Sequence, residues 1–259
     1  MTKVSTITPC FHMEKYMEGF LRYLPEQTIL NDIEVVLDHN EPTDNEVKLV
    51  NEYNKKHGNI KHIIVDEVDP IGTSMNRCIK KSSGEHLWIW NVDDLRTPDS
   101  IEVMAKALDE NPDVDFVYGN YIVVSKFETT MGYMVDETGK ERYLKTGMIL
   151  GPFFMFRKSA CMKAGVFDEQ LVSGADYDLA LRLAMNGKGM HIPEVLGFYL
   201  NEGKGASTRP DSKQPLERTV IELRYDLDVL EGQYIDDANK YDVNNLVIDG
   251  KKIPVKEFV

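Results

Sequence analysis

Residues 82–104, SSGEHLWIWNVDDLRTPDSIEVM, contain the most informative pattern in the sequence. Within them, the short apolar run HLWIWN at residues 86–91 predicts a buried strand. Asp93 and Asp94 follow almost at once, and Thr97 with Pro98 predicts a helix that Thr97 caps. A strand, an acidic turn and a capped helix in direct succession are typical of an α/β protein, in which ligands bind beyond the carboxyl ends of the strands.

The same alternation of strand and helix extends over the whole first half of the chain. Strands are predicted at residues 4–9, 33–37, 60–65 and 114–124, and helices at residues 13–24, 45–57 and 73–81. This rhythm predicts a mainly parallel, Rossmann-like central sheet that is flanked by helices.

The second half of the chain is less regular. Residues 125–148 are polar and poorly periodic, as expected of a region that contacts a variable ligand. Further elements are predicted as a strand at 151–157, a helix at 176–185, a loop at 201–213, a helix at 215–230 and a terminal hairpin at 246–255. We therefore expect one domain over residues 1–259, with a regular first part (1–124), a less regular second part (125–212) and a C-terminal helical and hairpin extension (213–259).

Composition limits the classes of function. With 42% hydrophobic and 28% charged residues, the chain is typical of a globular protein. Its formal net charge of −13 argues against a nucleic-acid partner, because binding phosphates requires a clustered positive surface. Three widely spaced cysteines and the lack of a signal peptide predict a cytoplasmic protein. No apolar run reaches the roughly 18 residues of a transmembrane segment, although peripheral membrane attachment needs no such run.

The Asp93–Asp94 pair is the first candidate for chemistry. Two adjacent carboxylates repel each other unless a positive charge lies beside them. A divalent cation on a diphosphate suits them, because hard oxygen ligands favour Mg²⁺ or Mn²⁺. The alternative is a solvated loop in which Asp94 helps to cap the following helix.

Two further aspartates lie at predicted element boundaries. Asp38 follows the strand at 33–37 and could accept a hydrogen bond from a base or ribose, or it could simply form a turn. Asp176 lies in SGADYD, residues 173–178, where a turn leads into a helix. The positive end of the helix dipole is expected to keep Asp176 ionised, as a general base requires, although aspartate is also an ordinary first-turn residue.

Taken in order, these segments resemble family 2 glycosyltransferases of the GT-A fold. VSTITPCFH at residues 4–12 resembles the opening strand of the family, and EQTILNDIEVVLDHNEPTD at 26–44 resembles its second segment. Gly72 and Asn76 match a glycine and an asparagine of its next helix. Residues 82–104 resemble the family's acidic motif, and RKSACMKAGVFDEQLVSGADYDLALRLAMNG at 157–187 resembles its GEDYD region.

The resemblance implies transfer of a hexose, with inversion, from a nucleotide-diphosphate sugar to an acceptor hydroxyl in polysaccharide or glycoconjugate synthesis. The acceptor would be a glycan, a lipid-linked sugar or another hydroxyl compound. The resemblance places Asp94 on Mn²⁺ or Mg²⁺ and makes Asp176 the general base. It assigns the nucleotide to Pro9, Phe11, Asp38, Asn76 and Asp93.

The sequence departs from the family pattern at several positions. Asn91 stands where the acidic motif begins, Met75 stands where a basic residue is expected, and Ala175 replaces the glutamate before the base. The segment YLNEGKGAS at 199–207 lacks the histidine that many members carry. These departures put nucleotide affinity, metal geometry and the acceptor site in question.

Two other functions compete with sugar transfer. A nucleotidyltransferase acting on sugar phosphates would share the sheet and the acidic ligands, but it would normally carry a glycine-rich loop after the first strand, and no glycine precedes Gly19. A non-catalytic module that binds sugar nucleotides or glycans would have lost its catalytic residues, whereas Asp93, Asp94 and Asp176 are all present.

Overall fold

The computed structural model describes residues 3–136, 144–148, 150–203, 205 and 208–259. Its strands are β1 (Val4–Phe11), β2 (Ile33–Asn40), β3 (Ile60–Val65), β4 (His86–Ile89), β5 (Leu95–Arg96), β6 (Phe116–Val124), β7 (Gly132–Val135), β8 (Phe154–Arg157), β9 (Gly189–Leu200), β10 (Asn245–Ile248) and β11 (Lys251–Pro254). Its helices are α1 (Glu14–Tyr23), α2 (Asp44–Lys56), α3 (Ile71–Lys81), α4 (Ser100–Glu110), α5 (Lys158–Lys163), α6 (Ala175–Asn186), α7 (Gln214–Arg224) and α8 (Ile235–Ala238).

One large sheet runs through the molecule in the order β3-β2-β1-β4-β8-β6-β9-β5, with β7 paired to β6. The pairs among β3, β2, β1 and β4 are parallel, as predicted for the first half. In the second half β8 is antiparallel to both β4 and β6, while β9 is parallel to β6. Six of the nine strands that the structure describes in this sheet therefore point the same way, and their carboxyl ends share one edge.

Helices cover both faces of the sheet, and each face has its own apolar core. On one face α1, α2 and α4 pack through residues such as Phe20, Val50 and Met104. On the other face α3, α5 and α6 pack through residues such as Cys78 and Leu181. Side chains of a strand alternate between the two faces of the sheet. Because both faces are covered, the central strands are apolar on both sides and form continuous apolar runs in the sequence.

Three details differ from the sequence prediction. Strand β2 continues to Asn40, three residues beyond its predicted end. The helix predicted after Thr97 begins at Ser100 instead. Thr97 was wrong as its cap, because its hydroxyl group donates to backbone carbonyls of β9. The long strand β9 was not predicted, because its segment GMHIPEVLGFYL contains a proline and lacks a clean alternation.

The C-terminal hairpin was predicted correctly. Strands β10 and β11 pair antiparallel around a turn in which Asp249 has φ 51° and Gly250 has φ 69°. The preceding helix α7 ends at Arg224, six residues before its predicted end. Residues 137–143, part of the region expected to contact an acceptor, lie outside the described residues. Among the described residues, no helix is both long and apolar enough to cross a membrane.

Candidate active site

The carboxyl ends of β1, β2 and β4 bring several predicted site residues to one edge of the sheet. Pro9 on β1 is in register with Asp38 on β2. The backbone N–H of Trp90 donates to the carbonyl of Ile7 at 3.0 Å, so the chain leaves β4 beside β1. Phe11, at the end of β1, is 37% exposed and presents an aromatic ring at this edge. The edge therefore combines an open apolar surface with the acidic turn that follows β4.

The turn after β4 is anchored through Asp94. Its Oδ1 accepts a hydrogen bond from the backbone N–H of Leu200, at the end of β9, at 3.1 Å. Its Oδ2 accepts a bond from the Asn91 amide at 3.3 Å, and its carbonyl accepts one from the Trp90 indole at 3.0 Å. These bonds join the end of β4 to the end of β9 and fix the direction of the carboxylate.

Burial disfavours the charged forms of Asp93 and Asp94. Asp94 is only 1% exposed, and burial, followed by the charge of Asp93, raises the pKa of its carboxyl to about 7. Burial also raises the pKa of Asp93, and nearby Glu202 adds to that rise. Neither aspartate has an ion-pair partner in the part of the chain that the structure describes. Two buried or half-buried acids without an ion-pair partner among the described residues are candidates for holding an external positive charge.

Arg96 is a buried positive charge whose field reaches both Asp93 and Asp94, and it was not found from the sequence. Its guanidinium lies 4.2 Å from the Phe153 ring centroid and 4.8 Å from that of Trp88, and it donates to the carbonyl of Ile89 at 3.0 Å. Its charge lowers the pKa of Asp94, but less than burial raises it. Residue order alone does not indicate this role, because an arginine in a polar turn is usually solvated.

The donor atoms of this turn fit a hard divalent cation. Each oxygen of Asp94 accepts one protein hydrogen bond, which leaves a lone pair on each for a further ligand. Asp93 is partly exposed beside it. Carboxylate oxygens are the ligands that Mg²⁺ and Mn²⁺ prefer, and a bound cation would offset the repulsion between the two adjacent carboxylates.

Asp38 lies in a network that the sequence did not reveal. Its carboxylate is fully buried and accepts bonds from Arg77 at 2.7 Å and 2.9 Å, from Asn40 at 2.9 Å, and from the Ser74 hydroxyl. Arg77 also bonds to Asp69 at 2.6 Å. A basic residue thus reaches this carboxylate from α3, two positions after the methionine that occupies the family's basic position. Arg77 was missed in the sequence because it does not stand at the basic position of the family motif.

Asn76 is placed differently from its predicted role. Its amide nitrogen donates to the Phe167 carbonyl at 2.9 Å and to Glu169 at 3.0 Å, while its oxygen accepts from the Phe167 N–H at 3.0 Å. The neighbouring Val166 has φ 53°, which is strained for a β-branched residue. The Asn76 amide is therefore used to hold this turn against α3, and we leave it out of the proposed nucleotide contacts.

The predicted base, Asp176, lies in the first turn of α6. Helix α6 ends at Asn186, and β9 starts at Gly189 beside the amino end of β6. Twelve residues of helix span about 18 Å, so a helix that runs back along the sheet from β9 begins towards the carboxyl ends of the parallel strands. On this topology we expect Asp176 near the edge that carries Asp93 and Asp94.

The electrostatics of Asp176 differ from the expectation. Burial and then Glu217, acting against the hydrogen bond from the Tyr177 N–H at 2.8 Å, raise the pKa of the Asp176 carboxyl to about 6. We expected the helix dipole to keep this pKa low, and desolvation outweighs it. A carboxylate with a pKa near 6 is still ionised at pH 7 but is a better proton acceptor than an ordinary aspartate.

Glu217 on α7 fixes the turn that leads to Asp176. Its Oε2 accepts the backbone N–H groups of Val172, Ser173 and Gly174 at 3.1 Å, 2.7 Å and 2.7 Å. Ala175, at the position where the family carries a glutamate, is buried. A carboxylate therefore does stand next to the base, but it comes from a helix some 40 residues later in the chain.

The sequence is similar to a family model and to proteins of known class. The model of the family described as "Glycosyl transferase family 2" matches residues 5–165. A chondroitin synthase of Pasteurella multocida is 25% identical over 222 residues, which cover 84% of this chain and 22% of that protein. The chain thus spans about a fifth of the length of this relative.

Two solved structures share the fold. The crystal structure of S. aureus TarS 1–349 in complex with UDP-GlcNAc has a TM-score of 0.70 at 19% identity and covers 92% of this chain and 70% of that one. The mannosyltransferase PcManGT from Pyrobaculum calidifontis, in complex with GDP-Man and Mn²⁺, has a TM-score of 0.60 at 18% identity and covers 98% of this chain and 67% of that one.

Proposed function

The chain belongs to glycosyl transferase family 2, and from this premise we propose that it transfers a sugar from a nucleotide-diphosphate sugar to an acceptor hydroxyl with inversion. The GT-A fold predicted from the sequence is confirmed by the similarity to TarS. One observation carries the proposal: a buried acidic pair without an internal ion-pair partner among the described residues follows β4 at the carboxyl edge of the parallel strands, and on this topology we expect Asp176 near the same edge.

The donor would bind along the carboxyl edge. Phe11 would stack on the base, Pro9 would shape the wall of the pocket, and Asp38, held by Arg77, would accept a hydrogen bond from the nucleoside. Asp93 would contact the ribose side. Asp94 would hold a divalent cation, Mn²⁺ or Mg²⁺, and this cation would neutralise charge on the leaving diphosphate.

The acceptor hydroxyl would be activated by Asp176. Its carboxylate takes the hydroxyl proton as the oxygen attacks the anomeric carbon, and the bond from that carbon to the diphosphate oxygen breaks on the opposite face. One proton moves to Asp176 and one nucleoside diphosphate leaves. Because the hydroxyl oxygen attacks the face opposite to the leaving group, the configuration at the anomeric carbon inverts. Glu217 keeps this base in place and helps to hold its pKa near 6.

The three parts of the chain would divide this work. Residues 1–124 would bind the nucleotide, residues 125–212 would supply the base and contact the acceptor, and residues 213–259 would support the base through Glu217. Three buried, free cysteines, all in the described part of the chain, support a reducing compartment such as the cytoplasm. A glycan or lipid-linked acceptor fits the polysaccharide-synthase relative.

The test is a turnover assay with the purified chain, Mn²⁺ and a panel of UDP- and GDP-sugars that includes UDP-GlcNAc and GDP-mannose. We expect release of nucleoside diphosphate in the presence of hydroxyl acceptors. Asp176→Asn should lower kcat by about 10²- to 10⁴-fold and leave donor binding intact, because a general base contributes that much to rate. Asp99→Asn, which changes an exposed aspartate before α4, is the matched control and should retain activity.

Other products would point to the competing functions. Pyrophosphate released from a nucleoside triphosphate and a sugar phosphate would indicate a nucleotidyltransferase. Donor binding without turnover, for every donor and acceptor pair, would indicate a binding module. Full activity of Asp176→Asn would remove this residue from the role of base.

A further inference from the structure

A second group of metal-ligating side chains lies on the other side of β1 and β2 from Asp38. Cys10 comes from β1, His39 from β2 and Glu46 from the first turn of α2. Cys10 and His39 are neighbours in register. The three side chains are 2%, 0% and 1% exposed, and one ligand atom from each lies within 4.8 Å of the others.

Two atoms of this cluster have an unmet need for a partner. Among the residues that the structure describes, His39 Nε2 and Glu46 Oε1 have no hydrogen-bond partner. They lie 3.5 Å apart, beyond the ordinary hydrogen-bond range of about 2.7–3.2 Å. Buried polar atoms are rarely left unsatisfied, because the loss of solvation is not recovered. Their closeness to each other and to a ligand atom of Cys10 is what a shared ligand would require.

The remaining polar atoms of these side chains are held by neighbours. His39 Nδ1 lies 3.2 Å from His62 Nε2. Glu46 Oε2 accepts bonds from the Thr43 N–H at 2.9 Å and the Thr43 hydroxyl at 3.0 Å. A metal-bound histidine usually makes a hydrogen bond through its other ring nitrogen, and a ligating carboxylate is usually fixed through its second oxygen. Both side chains already have this outer support.

We propose that Cys10, His39 and Glu46 form a Zn²⁺ site, separate from the cation site at Asp94. A thiolate, an imidazole and a carboxylate are the ligands that Zn²⁺ takes in proteins. Zn–N and Zn–O bonds of about 2.0 Å at the tetrahedral angle separate the two ligand atoms by about 3.3 Å, close to the 3.5 Å between His39 Nε2 and Glu46 Oε1. The fourth position is left for water.

Charge balance also favours a dication. A Cys10 thiolate and a Glu46 carboxylate carry two negative charges, which Zn²⁺ would neutralise in this buried place. Burial raises the pKa of the Cys10 thiol, so the sulfur keeps its proton until a cation displaces it. Binding therefore releases one proton and leaves a neutral cluster.

The site would fix the strand ends that line the donor edge. Cys10 lies between Pro9 and Phe11 on β1, and His39 follows Asp38 on β2. Because alternate side chains of a strand face opposite sides, a cation beneath Cys10 and His39 would hold both strand ends from the α2 side. Its role would be structural support of the nucleotide pocket.

Titration with Co²⁺ tests the proposal without an activity assay. The reduced wild-type protein should bind one equivalent with a sulfur-to-cobalt charge-transfer band in the near ultraviolet, and Zn²⁺ should displace it. Cys10→Ser should lose this band. Cys161→Ser, which changes another fully buried free cysteine, is the matched control and should keep it. Asp94→Asn should also keep it, since a carboxylate site gives no sulfur band.

Glu46→Gln separates a metal site from a simple contact between His39 and Glu46. The glutamine oxygen can still accept the bonds from Thr43, and its NH₂ group can donate to His39 Nε2. At a zinc site this change should weaken Zn²⁺ binding by at least about tenfold. If the two residues only contact each other, the change should leave metal affinity unaltered and raise Tm, and that result would overturn the proposal.

Two further outcomes would also overturn it: a folded wild-type protein without a sulfur-to-cobalt band, or a band that persists in Cys10→Ser. Far-ultraviolet circular dichroism of each variant shows whether it folds. Should Cys10→Ser fail to fold, the Glu46→Gln affinity decides. Because every readout is spectroscopic, the outcome is independent of whether the chain transfers sugar.

Discussion

Asp94 and Asp178 are both buried aspartates, 1% and 0% exposed, yet their surroundings are opposite. Asp178 accepts bonds from Arg182 at 2.6 Å, from Arg224 at 2.8 Å and from the Tyr225 hydroxyl at 2.8 Å, and the two arginines lower its pKa against the effect of burial. Within the described residues, the Asp94 carboxylate accepts bonds from a backbone N–H and an asparagine amide and has no arginine partner, and its pKa rises to about 7.

The difference separates a structural carboxylate from a functional one. The cluster around Asp178 also holds Asp168, which bonds to Arg224 at 2.7 Å and accepts the backbone N–H of Val247 at 3.0 Å. It therefore ties α6 to the C-terminal extension. A buried acid that has its own cations stabilises the fold, whereas one without them is stabilised only when a cation arrives.

The largest effect is expected from breaking the paired region. Asp178→Ala should lower the free energy of unfolding by about 3–5 kcal/mol, because it leaves Arg182 and Arg224 buried without their carboxylate. Urea denaturation measures this. Asp211→Ala removes a carboxylate of which 81% is exposed and which pairs with Arg209 at the surface, and it should change stability by less than about 0.5 kcal/mol. Equal effects of the two variants would contradict the comparison.

The opposite sign is expected for Asp94. In metal-free protein, Asp94→Asn should raise the free energy of unfolding by about 2 kcal/mol, because it removes a buried charge and can keep the bond from the Leu200 N–H. The same variant should lose the Mn²⁺ dependence of donor binding, which calorimetry measures with and without the metal. A destabilised Asp94→Asn protein would show that this carboxylate is structural after all.

The pH dependence of stability should distinguish the two regions. The folded pKa values of Asp94 and Asp176, about 7 and about 6, exceed the unfolded value of about 3.9, so the folded state binds protons more tightly. The difference in stability between metal-free wild type and the double variant Asp94→Asn, Asp176→Asn should therefore fall by about 1–2 kcal/mol per pH unit as pH rises from about 5 to about 7. Burial lowers the pKa of His39 and His62, which gives the opposite slope, but it does so in both proteins and cancels in this difference. Asp178 has a lowered pKa, and its contribution is lost only as pH falls below about 4.

Unfolding curves of the two proteins over this range measure the difference. Saturating Mn²⁺ should reduce its dependence on pH, since a bound cation lowers the pKa of Asp94. A difference that stays constant or grows between pH 5 and pH 7 would contradict the raised pKa values.

Within the cluster around Asp178, a small effect is expected from Tyr225→Phe. This change removes one hydrogen bond to Asp178 and leaves both arginines, so stability should fall by only about 0.5–1 kcal/mol. Thermal unfolding measures it. A loss as large as that of Asp178→Ala would mean that the hydroxyl, and not the arginine pair, holds this carboxylate in its ionised form.

Much of the fold could be predicted because it depends on local patterns. The strand at residues 60–65 and the hairpin around Asp249 have the bounds or the turn that the sequence indicated. The antiparallel placement of β8 and the pairing of β9 could not be predicted, because both depend on which distant strands lie side by side. Residue spacing does not encode such pairings directly.

The order of residues is enough to predict that Asp93 and Asp94 come just after a buried strand and that Asp176 lies in the first turn of a helix. The charge states of these aspartates follow from the folded structure. Arg77, Arg96 and Glu217 set the local electrostatics from other elements, and they come near only when the chain is folded. The physical reason is that desolvation and Coulomb interactions depend on distances in space, which the order of residues does not specify.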